Sequence, residues 1–310
     1  MTRTPSPAPP GWTPPPRERT TLRTHARALG RGAAAPVLAA IRRSSGRTIL
    51  WTPPSLGGGN HLYMWLWAWE QRRAGNDAAV LRRPGMEAWI AMFPALGELT
   101  VDRAAVPFTA QRREIWHQGF DEFGQNALDG FLDDAILGSP AFAELLAAAD
   151  TERAPLTLNI RRGDYYTDAT FRRRYGMDIR AYALAALEVA EVDPAGAFDL
   201  QVVSDDPAWC AEQVPAWLPA PRVRIAPADE GPFGNLARLA ASERLILANS
   251  TFSYWAGYLK NRWDEREGRE SLVVAPRFHV RTIGDGRAWQ LAPAWTIIEN
   301  AETEVSRSDA

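Results

Sequence analysis

From residue 48 onward, short apolar runs end in polar or glycine-rich breaks and are followed by stretches of helical spacing. This alternation constrains the fold more than any other feature. Thr48-Ile49-Leu50-Trp51 leads into Gly57-Gly58-Gly59-Asn60 and a helix over 61–73, with Leu62, Trp65, Leu66 and Trp69 on one face. Ala78-Ala79-Val80-Leu81 reads as the next strand, and 86–149 as mostly helical with loops. Strands at 156–160, 198–203, 223–225, 244–248 and 271–275 then alternate with helices at 179–192, 235–242 and 253–259, and Pro207 is placed to open another helix. Such alternation predicts an α/β fold, a parallel sheet with helices on both faces. Ligands in such sheets bind at the carboxyl ends of the strands, where this chain carries its most polar segments.

Charge divides the chain unevenly. The whole has 35 basic and 37 acidic side chains, a formal net charge of −2, which gives no global attraction to nucleic acid. Residues 1–47, however, hold nine arginines against Glu18 alone, a charge of +8, and eight prolines. They predict a disordered Pro/Arg-rich tail, with an Ala/Arg-rich run over 22–43 that has helical composition. Nucleic-acid binding through this tail is opposed by the −10 carried by the remainder. Cys210 is the only cysteine, so no disulfide can form within the chain and a cysteine zinc site is excluded. His25, His61, His117 and His279 do not fall at metal-ligand spacing, and no metal is expected. No apolar run has the length of a membrane span and the start does not read as a signal peptide, so the expectation is a cytoplasmic protein without a transmembrane segment. Most of the 13 tryptophans are expected in or near the core.

Three strand ends carry candidate chemistry. Asn159-Ile160-Arg161-Arg162-Gly163-Asp164-Tyr165 puts two guanidinium groups and a carboxylate where a buried strand stops. Paired guanidiniums hold a diphosphate by forked hydrogen bonds and neutralise charge growing on it; a surface salt-bridge cluster is the plainer alternative. Asn249-Ser250-Thr251-Phe252-Ser253 precedes a helix, and is either an anion site at a helix N-terminus or an ordinary cap. Ser204-Asp205-Asp206-Pro207 offers acceptors suited to a ribose or base edge, or simply caps the helix that Pro207 opens. The glycine loop lacks the Gly-Lys-Ser/Thr of a Walker loop and the spacing G-x-G-x-x-G, and no G-x-S-x-G elbow occurs.

Taken in order, Gly58-Gly59-Asn60, Ile160-Arg161-Arg162-Gly163-Asp164-Tyr165, Ser204-Asp205-Asp206-Pro207, Leu247-Ala248-Asn249-Ser250-Thr251-Phe252-Ser253-Tyr254-Trp255 and Val274-Ala275-Pro276 resemble the α-1,2-fucosyltransferases of glycosyltransferase family 11 over roughly 48–280. The resemblance implies a GT-B-like fold, two Rossmann-type domains facing a cleft. The expected layout is a tail at 1–47, an acceptor-side α/β domain at 48–150, a nucleotide-sugar-binding domain at 151–300 and a tail at 301–310. It also implies an inverting enzyme that needs no cofactor or divalent metal and moves fucose from GDP-fucose, the donor substrate, to a glycan acceptor. Arg161 and Arg162 would hold the pyrophosphate. Ser250, Thr251, Phe252 and Ser253, with Asn249, would lie along the phosphates, and Asp205 and Asp206 near the nucleoside. Asn159 would face the base, and Gly59, Asn60 and His61 the acceptor or phosphate side. Asp164 is the candidate base, with Asp168 and Asp178 as further candidates.

Members of that family usually carry His at the position of Asn159, Leu at Gly58 and Gln at His61. The alternatives are therefore another nucleotide sugar on the same fold, or a binder of nucleotide or sugar that has lost turnover.

Overall fold

The first sheet has β1 (Arg47–Trp51), β2 (Asp77–Leu81), β3 (Thr100–Val101) and β4 (Gln111–Glu114) in the order β3-β2-β1-β4, all parallel. The second has β5 (Leu156–Ile160), β6 (Asp199–Ser204), β7 (Arg222–Ile225), β8 (Arg244–Ile246), β9 (Leu272–Pro276) and β10 (Thr296–Ile298) in the order β10-β9-β8-β5-β6-β7, also all parallel. From β5 the chain steps outward to β7, returns to place β8 beside β5, and then steps outward on the other side. That is the doubly wound order of dinucleotide-binding sheets, and its reversal leaves a crevice beyond the carboxyl ends of β5 and β8. The first sheet reverses in the same way between β1 and β4.

This computed structural model describes residues 36–38, 40–42, 46–53, 56–115, 118–190, 198–217, 222–283 and 285–299. Two units are distinguished, Met1–Ser45 and Gly46–Ala310, and both sheets belong to the second. The tails expected at 1–47 and 301–310, and the helical composition over 22–43, fall outside the described residues but for a few positions.

Helices join the strands: α1 (Gly58–Arg73), α2 (Glu87–Met92), α3 (Pro94–Glu98), α4 (Phe120–Phe131), α5 (Pro140–Thr151), α6 (Gly163–Thr167), α7 (Ala169–Tyr175), α8 (Ile179–Val189), α9 (Pro207–Trp217), α10 (Gly231–Ala241) and α11 (Thr251–Arg266). Two corrections concern 86–149, which is not only helix and loop. It contains β3, just two residues long, and β4, whose Gln-Arg-Arg-Glu has no apolar residue to mark it as a strand. The strand β10 also escapes the apolar pattern because it is three residues long.

The helix over 61–73 begins earlier, at Gly58, and is buried on more than one face. Every residue from His61 to Ala68 is buried, because α1 packs against the first sheet, α4 and α11. A helix enclosed in this way needs no polar side. One continuous apolar core takes Leu50 and Val80 from the first sheet, Leu62, Trp65 and Leu66 from α1, Trp255 and Leu259 from α11, and Val203, Leu245 and Val273 from the second sheet. Burying Leu62 and Leu66 contributes on the order of 2 kcal/mol each. Among the described residues no helix is long and apolar enough to cross a membrane.

Candidate functional site

Just past the end of β5, Arg161 and Arg162 reach different sets of partners. Arg161 turns toward the cleft, where Nη1 lies 2.7 Å from Asp205 Oδ2 and Nη2 lies 2.5 Å from Asp164 Oδ1. Arg162 Nε donates to Asp206 Oδ2 at 3.0 Å, its guanidinium lies 4.2 Å from the centre of the Trp209 ring, and its backbone N–H donates to Asp205 Oδ1 at 2.7 Å.

The two aspartates that follow β6 are thus the clamp that sets both arginines, and Asp206 also accepts the Trp209 N–H at 3.2 Å to cap α9. Gly163 makes this closure possible, since a Cβ there would stand 2.3 Å from Asp205 Oδ2. The sequence reading assigned Asp205 and Asp206 to the nucleoside. Their oxygens are engaged with Arg161, Arg162 and the start of α9, and Asp205 also lines the smaller of two adjoining cavities.

Two helix N-termini meet beside Arg161. No side chain caps either α1 or α11. Gly59 in the first turn of α1 comes so near that a Cβ on it would lie 2.6 Å from the backbone N of Phe252 and 2.7 Å from Thr251 Oγ1. The indole Nε1 of Trp255 donates to the Gly59 carbonyl at 2.8 Å, which fixes the two helices in register. Each terminus carries about half a positive charge and unpaired N–H donors, so the pair makes a cradle for an anion.

The cradle opens on two adjoining cavities. The smaller, about 320 Å³, is lined by groups including Asn159, Arg161, Ser204, Asp205, Asn235, Ser250 and Ser253. The larger, about 770 Å³, runs from Gly57, Gly58, Gly59 and Asn60 past Trp89 to Arg161, Asp164, Tyr165, Arg174, Tyr175, Thr251, His279 and Trp289. Arg161, Ser250 and Phe252 line both, which places the anion cradle at their junction.

The remaining expected site residues divide into those at the cavities and those behind them. Asn159 lines the smaller cavity with its amide engaged: Nδ2 donates to the Val203 carbonyl at 2.9 Å and Oδ1 accepts from Ser253 Oγ. Asn60 lines the larger cavity. His61 lies in neither lining. It is 1% exposed, edge-on to Trp65, with both ring nitrogens unbonded, and burial, reinforced by Arg83, lowers its pKa to about 4. Asn249 is a buried tie, donating to the carbonyls of Tyr175 at 2.8 Å and His279 at 3.2 Å. Asp168 and Asp178 accept backbone N–H groups at the starts of α7 and α8, so both act as caps.

Sequence reasoning missed Asn235, whose Oδ1 is buried without a partner at the smaller cavity, and Arg174 and His279 at the larger. None of the three stands in a polar motif at a strand end, so no local signal marked them. Among the described residues no three of His, Cys, Asp and Glu are grouped to hold a metal ion.

Two parallel sheets whose loops after β1, β5 and β8 share one cleft form a doubly wound α/β architecture with its site at the strand ends. The family model for glycosyl transferase family 11 matches residues 109–266, just over half of the chain, and the chain belongs to that family; it is a glycosyltransferase. No curated protein matches its sequence.

Among solved structures it is similar to a mutant of FUT1 from Arabidopsis thaliana in complex with GDP, at 10% identity over 87% of this chain and 82% of that one, with a TM-score of 0.42. POFUT1 in complex with GDP is 12% identical over 82% of both chains, with a TM-score of 0.34. The fucosyltransferase NodZ from Bradyrhizobium is 16% identical over 69% of this chain and 92% of that one, with a TM-score of 0.35.

Proposed function

We propose that the protein is an inverting, metal-independent fucosyltransferase that moves fucose from GDP-fucose to a hydroxyl of a glycan acceptor, in α-1,2 linkage to galactose. The observation that carries this reading is the position of Arg161, clamped by Asp164 and Asp205 beside the N-terminus of α11 at the reversal of the second sheet. Membership of glycosyl transferase family 11 and the order of the motifs support it.

In this reading the nucleoside occupies the smaller cavity, with the unpartnered Asn235 Oδ1 available to a base N–H. The diphosphate spans the junction, and sugar and acceptor meet in the larger cavity. The acceptor hydroxyl attacks the sugar C1 from the face opposite the leaving diphosphate, through an oxocarbenium-like transition state. The bond from C1 to the β-phosphate oxygen breaks as the new glycosidic bond forms, so the anomeric centre inverts. Charge building on the leaving phosphate is met by Arg161 and by the N–H groups of Thr251, Phe252 and Ser253. Arg162 acts through Asp206 and the Asp205 clamp. Asp164 is the carboxylate nearest the cleft for the acceptor proton.

Calorimetry with GDP, GDP-fucose, UDP and ADP tests the donor, with stabilisation by the guanine nucleotides alone as the expected result. Arg161→Ala is expected to slow transfer by a factor of 10² to 10³, the loss of about 3 kcal/mol that follows removal of one preorganised donor. Indifference to every guanine nucleotide, or full transfer by Arg161→Ala, would overturn the reading.

The state of Asn159 favours one variation. Because its amide is spent on Val203 and Ser253, base choice falls to other groups in the smaller cavity, and a donor with another base fits the same fold. UDP or ADP stabilising the protein in place of GDP would establish it.

A further inference from the structure

The larger cavity is lined by three side chains that carry charge, Arg161, Asp164 and Arg174. Arg161 and Asp164 face each other at 2.5 Å and cancel. Arg174 has no carboxylate within ion-pair distance among the described residues. Its one side-chain hydrogen bond is a long one, from Nη2 to Thr282 Oγ1 at 3.5 Å, and its Nε is buried with no partner at all. A guanidinium offers five N–H donors in a fixed fork, so most of the binding capacity of this group is unspent within the protein.

Its placement is built rather than incidental. The Arg174 carbonyl accepts the backbone N–H of Arg281 at 2.9 Å. The next residue is held twice: the Tyr175 carbonyl accepts from Asn249 Nδ2 at 2.8 Å, and the Tyr175 ring stacks on Tyr165 with centroids 4.5 Å apart and planes 16° apart. The guanidinium itself lies 5.4 Å from the centre of the Tyr175 ring. Tyr165 in turn stands under Arg161, 5.2 Å from its guanidinium, so the two arginines are joined through one stack of two tyrosines.

We propose that Arg174 is a specificity-determining residue that binds an oxyanion in the larger cavity, a second cationic contact for substrate besides Arg161. The inference rests on the transferase reading above and adds to it a residue outside the family-like motifs. Arg174 lines the larger cavity and not the smaller, so its ligand is the distal phosphate of the donor or an acidic group on the acceptor, not the nucleoside. Charge-assisted forked hydrogen bonds to phosphate or carboxylate are the strongest that this side chain makes.

The test compares wild type with Arg174→Ala, Arg174→Lys and, as a control on the same helix, the exposed Arg172→Ala. Affinities for GDP and GMP are measured by calorimetry, and transfer to neutral lactose and anionic lactobionate by KM. A loss of about tenfold or more in GDP affinity, with GMP unchanged and partial recovery in Arg174→Lys, supports contact with the distal phosphate. A rise in KM confined to lactobionate supports contact with an acidic acceptor. If wild type binds GDP and Arg174→Ala matches it in both affinities and both KM values, the inference is overturned and the transferase reading stands. If wild type binds no guanine nucleotide, it is the GDP-fucose reading that falls, and the same comparison is made with the diphosphate and monophosphate of the base that does bind.

Discussion

Substituting Gly59 by alanine probes the joint on which the anion cradle depends. A Cβ at that position meets the Phe252 nitrogen at 2.6 Å, Thr251 Oγ1 at 2.7 Å and the Thr251 carbonyl carbon at 2.9 Å. Two of these three atoms are backbone, so rotating a side chain does not relieve the contact. Ordinary separations require α1 and α11 to part by somewhat under ~1 Å, and overpacking of this kind costs about 1–3 kcal/mol.

Alanine returns up to about 1 kcal/mol as a better helix former, so the expected net destabilisation is about 0–2 kcal/mol. Function should suffer more. The N–H groups of Thr251 and Phe252 move with the helix, the Trp255 bond to the Gly59 carbonyl stretches, and a displacement of about 1 Å near reacting groups costs on the order of 10²-fold in rate. Urea unfolding, GDP affinity and transfer rate measured on the same preparation separate the two effects. If Gly59→Ala kept wild-type affinity and rate, the meeting of the helix ends would have no part in binding the anion.

Other groups give independent checks. His61 is held neutral by burial, its pKa down from 6.5 to about 4, so the unfolded chain binds a proton in that window that the folded chain does not. Stability should therefore fall on acidification, by about 2 kcal/mol from this residue between neutral pH and about pH 5, and His61→Gln should lack that part of the slope in urea unfolding at the two pH values. Asp264 is fully buried and serves Lys260, the only lysine, together with Arg153 and Arg269, so Asp264→Ala should cost about 3–5 kcal/mol in denaturant unfolding. Lys260→Met should cost clearly less, because Asp264 keeps its two arginines; equal losses would contradict this account. Burial pushes the Cys210 thiol up to about 11, and iodoacetamide at neutral pH should leave it unmodified until the protein unfolds.

The elements that the sequence made legible are those whose own residues carry the pattern. The strand β5 is five consecutive buried residues, and α9 opens at Pro207 as a fixed φ at the first helical position requires. By contrast β4 is Gln-Arg-Arg-Glu and pairs with β1 without any apolar residue of its own, leaving no apolar trace. The same division holds in the site. Arg161, Ser250 and Thr251 stood out because each follows a strand end. Asn235 comes from within α10 and Arg174 from the last turn of α7, and both reach the cavities only through tertiary packing. Nor does sequence spacing show that Asp205 and Asp206, over forty residues beyond the arginines, are the acids that hold them.

That clamp changes where the positive charge for an anionic donor comes from. Counting arginines near β5 suggests two free cations, yet Asp164, Asp205 and Asp206 already face Arg161 and Arg162 at 2.5–3.0 Å. A diphosphate entering the junction therefore competes with carboxylates for Arg161. The aspartates keep the guanidinium preorganised at the cost of part of its field. The balance must be supplied by groups with no counter-charge of their own, and the structure offers two kinds: the uncapped ends of α1 and α11, worth about half a charge each, and Arg174. In the proposed reading an anion is drawn to this junction because backbone dipoles and the Arg174 guanidinium remain there after the ion pairs of Arg161 and Arg162 have cancelled.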